Sequence, residues 1–429
     1  MMVILQFSEV LLFLYIFIWT GDGVANVKKL HDLYGNTVRI SPATVSFNSS
    51  QAWQETYGQR HGKKPIPKDK ELYFSGNGGV VDIISSLREQ EPLMNVYFDL
   101  LIQKLYEQIN SSSNCKVNIV RFFNFTTFDL IGDLCLAESF DALRTQEYNS
   151  WIAKISKGLK FARLFRVMRA YPLVGMPILA MLALFPGLQK ARQRHIQYTQ
   201  DKTARRLDTV TDRCDFMRAE VIKTTGTLII AGSETTATLL SSAIFHLLKN
   251  PSCMATLFQE IRSTFEESAD MTFVKLANLR YPNVCLQEAF RIYPPVPGVL
   301  PRRTQPGSVV INGHFIPEDV SVGVNQWSAY HSAANFALPD QFLPERWLDD
   351  NISNPRFASD KRGVVQLFSV GPRNCLGQHL AMAEMRAILA RILRHFDIDL
   401  CEESCNWDEQ KVFILWEKPD LMVTVKARV

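Results

Sequence analysis

The sequence predicts a mainly α fold with a small β portion, and three observations carry that prediction. One is a proline-free run, RAEVIKTTGTLIIAGSETTATLLSSAIFHLL (residues 218–248), apolar on nearly every face, as suits a helix through the middle of a large domain. Another is the recurrence of apolar residues at spacings of three and four through the N-terminal half. The third is the restriction of clear strand signal to TVRISPATVSF (residues 37–47) and to two short runs flanking an Asn-Gly pair. The chain has 429 residues, 47% hydrophobic and 21% charged, which is enough for a large core and excludes disorder. A net charge of +4 gives no global field that would favour nucleic acid as a partner. Eight cysteines form no even framework, and a chain of this length needs no staples, which suits a reducing compartment.

Taken in order, the apolar run of residues 1–19 is near the minimum length for crossing a bilayer but contains Glu9. Residues 1–20 read as an N-terminal membrane anchor, with a buried or interfacial segment as the other reading. Residues 37–47, bounded by Gly35 and Asn48, read as a hairpin. Amphipathic helices follow over 89–101, 115–140, 148–169 and 189–207. Residues 164–188 form the most apolar internal stretch, broken by Pro172, Gly175, Pro177 and Pro186. It reads either as a core helix pair or as a cap that rests on a membrane and admits apolar substrate. After the long helix come helices over 253–267, 282–293 and 378–395. Between the last two lie strands over 308–311 and 314–316, joined by an Asn312-Gly313 turn. Residues 21–429 read as one domain.

Chemistry gathers in three segments. In FSVGPRNCLG (residues 368–377), Gly371 and Gly377 permit backbone conformations that other residues resist and let a flat ligand approach closely. Cys375 stands just before a helix start, whose free N–H groups stabilise a thiolate, and Arg373 adds a cation. Those features suit a soft, anionic sulfur ligand for iron. In EAFR, Glu288 and Arg291 lie three apart on one helix face and can pair, a pattern that alone usually marks a solvated surface. PERW places Arg346 in a proline-bounded loop. In AGSETT (residues 231–236) a Glu and two Thr interrupt the apolar helix. They form either a core cluster bonded to preceding carbonyls or a functional group, since burying Glu234 without purpose is costly.

The cysteine segment resembles the haem-binding loop of the cytochromes P450, Phe-x-x-Gly-x-Arg-x-Cys-x-Gly. The other two resemble that family's Glu-x-x-Arg plus Pro-Glu-Arg-Trp trio and its oxygen-binding motif. The resemblance implies a P450 fold and haem b, with Cys375 as axial thiolate and Phe368, Gly371 and Gly377 shaping the loop. Arg373 and Arg302 would hold the haem propionates, and Glu288, Arg291 and Arg346 would form a buried network pinning the loop. Gly232 would leave room for dioxygen, while Glu234 and Thr235 relay protons. Arg386, Arg391 and Arg394 would dock an acidic reductase, unless they form an ordinary solvated helix face.

The implied activity is a haem-thiolate monooxygenase oxidising a lipophilic small molecule with O2. Its electrons would come from NADPH through NADPH-cytochrome P450 reductase, on the cytosolic face of the endoplasmic reticulum membrane. KKLHDLYGNTVRISP and EAFRIYPPVPGVLPR are similar to fungal microsomal secondary-metabolite monooxygenases of the trichothecene hydroxylase group. The chain departs from the family in GGVVDIISSLREQE (residues 78–91), which holds no His/Trp-x-x-x-Arg, and again near residues 212–220. Part of the N-terminal helical region is therefore expected to be missing. The alternative reading is a degenerate, non-catalytic P450-like membrane protein with impaired haem binding. An isomerase or dehydratase that needs no O2 is disfavoured by the intact Glu234 and Thr235.

Overall fold

A computed structural model of the chain describes residues 21–41, 43–59, 64–69, 87–111, 114–147, 177, 179–181, 184, 189, 225–351, 354–413 and 415–428. The anchor expected over residues 1–20, nearly all of the helices and the apolar stretch expected between 148 and 207, and the shortened segments at 78–86 and 212–220 lie outside the described residues. The chain divides into two compact units. One takes its residues from 1–75, 284–375 and 410–417, the other from 76–283, 376–409 and 418–429.

In the first unit, helix α1 (Gly23–Tyr34) leads into β1 (Thr37–Ser41) and β2 (Thr44–Phe47), the hairpin expected from sequence. Helix α2 (Ser50–Tyr57) starts where the Ser49 hydroxyl accepts the Ala52 N–H, an ordinary N-cap. Further strands are β4 (Arg302–Arg303), β5 (Val309–Ile311), β6 (His314–Ile316) and β7 (Ser321–Val324). One sheet has the order β1-β2-β7-β4, in which β2 pairs in parallel with the distant β7. The β5–β6 hairpin turns at Asn312 (φ 53°) and Gly313 (φ 78°), two left-handed residues that match strand twist. Phe47, Trp53, Tyr57, Val322, Val324, Tyr330 and Phe336 close the core of this unit.

In the second unit, α3 (Leu87–Ser111), β3 (Lys116–Asn118) and α4 (Ile119–Leu136) precede α5 (Thr225–Lys249) and α6 (Pro251–Thr264). Helix α7 (Arg280–Ile292) begins in this unit, while its residues from 284 on belong to the first; α8 (Gln378–His395) with β8 (Phe396–Leu400) and last β9 (Met422–Ala427) complete the second. Almost every residue of α4 is buried, and α4 packs on α5. That explains why α5 is apolar on all sides. Its segment Leu228–Lys249 is long and apolar enough to cross a bilayer, yet 67% of it is buried within the fold. A β3-β9-β8 sheet, absent from the strand expectations, closes this unit. Strands β8 (FDIDL) and β9 (MVTVKA) alternate apolar and polar residues, a period-two signal that the strand expectations overlooked, while β3 has only three residues.

Candidate active site

The cysteine loop is held by backbone geometry. Ser369 (φ 62°) and Gly371 (φ 78°) both lie in the left-handed region, and the Cys375 N–H donates to the Phe368 carbonyl at 2.8 Å. A Cβ at Gly371 would run into the Tyr57 carbonyl, so glycine is required there on two counts. The Phe368 ring packs edge-on against Phe290, with centroids 5.4 Å apart. Cys375 itself is exposed. Gly377 differs from expectation: its φ of −86° is open to any residue, and it serves as the N-cap position of α8.

The ion network is fully buried, contrary to the surface pairing that an isolated Glu-x-x-Arg suggests. Glu288 accepts a two-pronged contact from Arg291, at 2.8 and 2.9 Å. It also accepts from Arg346 Nε (3.2 Å), Trp347 Nε1 (2.8 Å) and the Leu343 N–H (2.9 Å). The remaining donors of Arg291 reach the Tyr330, Pro339 and Gln341 carbonyls. Sequence reasoning missed one member, Asp360, which pairs with Arg346. Charge balance could have found it, because two buried arginines against one glutamate leave an uncompensated cation. Arg362 Nε donates to the Arg346 carbonyl at 2.6 Å, and the Gln366 N–H donates to the Tyr330 hydroxyl at 3.0 Å. The segment that enters the cysteine loop is thereby tied to the network.

On α5 the hydroxyls of Ser233, Thr235, Thr236, Thr238 and Ser241 each donate to the carbonyl four residues earlier, Thr235 to Ala231 at 2.5 Å. Glu234 has a partner that sequence reasoning missed. Lys418 Nζ lies 2.7 Å from its carboxylate, 2.8 Å from Thr238 Oγ1 and 3.4 Å from Asn124 Oδ1. No local signal marks Lys418, since it comes from the approach to β9. A Cβ on Gly232 would meet the Ile131 side chain at 2.9 Å. The glycine serves the α4–α5 packing.

The expected docking arginines are committed elsewhere. Arg386 donates to Asn283 at 2.6 Å, Arg391 pairs with Asp99 and bonds Asn95, and Arg394 donates to the Phe265 and Glu266 carbonyls. Their donors tie α8 to its neighbours, which corrects their reading as a free docking face. Arg302 is buried with its guanidinium 5.0 Å from the Tyr57 ring centroid, and Arg373 is exposed.

These residues fit a haem. An exposed thiol on a backbone-locked loop offers one soft ligand, and arginines in the same unit as that loop suit two carboxylates. Comparison with known proteins gives the family. A family model described as Cytochrome P450 matches residues 80–425. The chain is 38% identical to cytochrome P450 monooxygenase astJ of Aspergillus oryzae, an alignment covering 96% of this chain and 89% of that protein. It is 37% identical to the trichothecene C-4 hydroxylase of Trichoderma arundinaceum, over 94% and 87% of the two chains. With the trichothecene C-15 hydroxylase of Fusarium sporotrichioides it is 38% identical, over 93% and 87%. The Aspergillus alignment runs to 450 positions, longer than the 429-residue chain, so that relative has residues within the matched span for which this chain has none.

Proposed function

The chain belongs to the cytochrome P450 family, and we propose that it is a haem-thiolate monooxygenase in which Cys375 would supply the thiolate that holds the iron, acting on a lipophilic secondary metabolite. When bound, the haem supplies oxygen activation and C–H oxidation, with thiolate donation favouring O–O cleavage. Two electrons per turnover come from a reductase. The chain's own residues supply position and protons. The Gly371 turn and the Glu288–Arg291–Arg346–Asp360 network hold the loop, while Arg302 and Arg373 would take the propionate carboxylates. Thr235 Oγ1 and the Glu234 carboxylate move protons, for which Thr235 must turn away from the Ala231 carbonyl.

The cysteine loop carries this reading: its two left-handed residues and its closing hydrogen bond present one exposed thiol. Two relatives named as trichothecene hydroxylases support hydroxylation as the reaction. The apolar run of residues 1–19 supports attachment to the endoplasmic reticulum membrane, with NADPH-cytochrome P450 reductase as partner. The test is the absorbance of the reduced, carbon-monoxide-bound protein. A red-shifted thiolate Soret band that is lost in Cys375→Ala supports the assignment. Well-folded protein without haem would instead support the non-catalytic reading, which the alignment gaps favour.

A further inference from the structure

A row of aromatic rings in the first unit runs from the cysteine loop to the surface. Phe368, whose carbonyl accepts the Cys375 N–H, packs edge-on against Phe290. Tyr293 lies three residues beyond Phe290, and its N–H donates to the Ala289 carbonyl at 2.9 Å, so the closing turn of α7 sets both rings on one face. Tyr293 stacks on Trp416, with centroids 4.1 Å apart and planes 21° from parallel. Trp416 meets Trp327 edge-on at 5.3 Å. Tyr293 and Trp416 are buried, whereas Trp327, in the short helix Gln326–Tyr330, is half-buried. Aromatic rings fill cores for packing alone. What distinguishes this row is where its polar atoms go. The Tyr293 hydroxyl donates to Gln410 Oε1 at 2.5 Å and Trp416 Nε1 to the Pro294 carbonyl at 2.8 Å. Both acceptors are amide oxygens, which take a hydrogen bond but are too weakly basic to take the proton. Either ring, once it has lost an electron, therefore keeps its proton at hand and is readily reduced by the next ring. Trp327 Nε1 has no hydrogen-bond partner among the described residues, so its proton is free to pass to water.

We propose that Tyr293, Trp416 and Trp327 form a one-electron path that draws oxidising equivalents away from the haem when no substrate consumes them. The proposal rests on the reading of Cys375 as haem ligand. For each equivalent, one electron moves inward from Trp327 through Trp416 and Tyr293 to the peroxide-oxidised haem. It crosses Phe290 and Phe368 in a single step, because a benzene ring is far harder to oxidise than a phenol or an indole. The Trp327 N–H proton goes to water, which leaves a neutral indole radical. A thiol in solution returns one hydrogen atom to that radical, and two thiyl radicals so formed combine as a disulfide.

The experiment adds hydrogen peroxide to substrate-free haem protein of wild type, Trp327→Phe, Trp327→Tyr and Tyr293→Phe. The readouts are electron paramagnetic resonance of freeze-quenched samples, the mass of the peptide that carries Trp327, and the rate at which the Soret band bleaches. Wild type should give a tryptophan radical and an oxygenated Trp327. Trp327→Phe keeps a ring in the row but should lose that radical and bleach several-fold faster. Trp327→Tyr, which can be oxidised, should restore slow bleaching. Tyr293→Phe leaves Trp327 in place, yet should lower its oxidation and speed bleaching. Trp416→Phe interrupts the same path if Tyr293→Phe folds poorly without its bond to Gln410. The apo wild-type chain should keep Trp327 intact in the same peroxide. Equal oxidation of Trp327 in the apo chain or in the interrupted variants, or equal bleaching in all, would overturn the path while the Soret band stands. A wild-type chain with no thiolate Soret band would overturn the haem reading and the path with it.

Discussion

Lys418 Nζ sits 2.7 Å from the Glu234 carboxylate, with 4% and 17% of the two side chains exposed. The acid in the middle of α5 is therefore a partnered charge. Replacing Lys418 with Met leaves Glu234 largely buried and alone, at a cost on the order of 3 kcal/mol, measurable by urea denaturation. The double variant Lys418→Met with Glu234→Gln should recover most of that loss. If the two losses simply add, the pair is not coupled.

Thr235 gives its hydroxyl to a carbonyl of its own helix, a bond that Thr→Ala removes at about 1 kcal/mol or less. Thr235→Ala should keep the thiolate spectrum while diverting electrons from product to peroxide. The measurement is product and peroxide formed per NADPH consumed. Unchanged coupling would remove Thr235 from the proton path.

Arg346 holds two carboxylates, Glu288 and Asp360, and none of the three side chains has any exposure. Arg346→Lys keeps the charge but cannot serve both acids and the Ala337 carbonyl with one rigid fork. A loss of about 3 kcal/mol or more is expected, read as lower soluble yield and a lower Soret-to-protein absorbance ratio.

The two loop glycines should behave differently. Gly371→Ala meets the Tyr57 carbonyl at a left-handed φ, so the apo chain should lose on the order of 3 kcal/mol in thermal or chemical unfolding. At Gly377 an added Cβ meets no atom within 4 Å. Gly377→Ala should leave apo stability within about 0.5 kcal/mol of wild type and lower haem content alone. Equal haem content in the two proteins would argue against close approach of the cofactor there.

Glu384 on α8 is buried, and its Oε1 has no hydrogen-bond partner. Burial holds its carboxyl well above the ordinary carboxylate value. The native chain therefore keeps a proton that the unfolded chain releases above about pH 4.5, so stability falls as pH rises from there towards the raised folded value. Glu384→Gln should flatten this slope and stabilise the chain at pH 7 by on the order of 2 kcal/mol. Denaturation curves between pH 5 and 8 check both effects; parallel slopes would show that Glu384 is ionised in the native state.

Much of this protein is legible in its sequence, because the relevant signals are local. The periodicity over 253–267, 282–293 and 378–395, the Asn312-Gly313 turn and the 37–47 hairpin all follow from side-chain spacing and turn chemistry. So does the cysteine loop, since the left-handed turn at Gly371 is a property of one residue and its neighbours. Helices α1 and α2 and strand β7 escaped because they are short, whereas β8 and β9 carry a period-two alternation that could have been read. They take their conformation from partners far along the chain, as β7 does from β2.

What the tertiary structure alone decided is which charged groups meet. Glu288 and Arg346 are far apart in sequence but share one hydrogen bond; Asp360 completes their charge balance; and Lys418 reaches Glu234. The same structure tied Arg386, Arg391 and Arg394 to neighbouring groups and set Ile131 against Gly232. A residue's type and local spacing determine what chemistry it can offer. Its charge partners and its burial depend on long-range packing, which no local window of sequence contains.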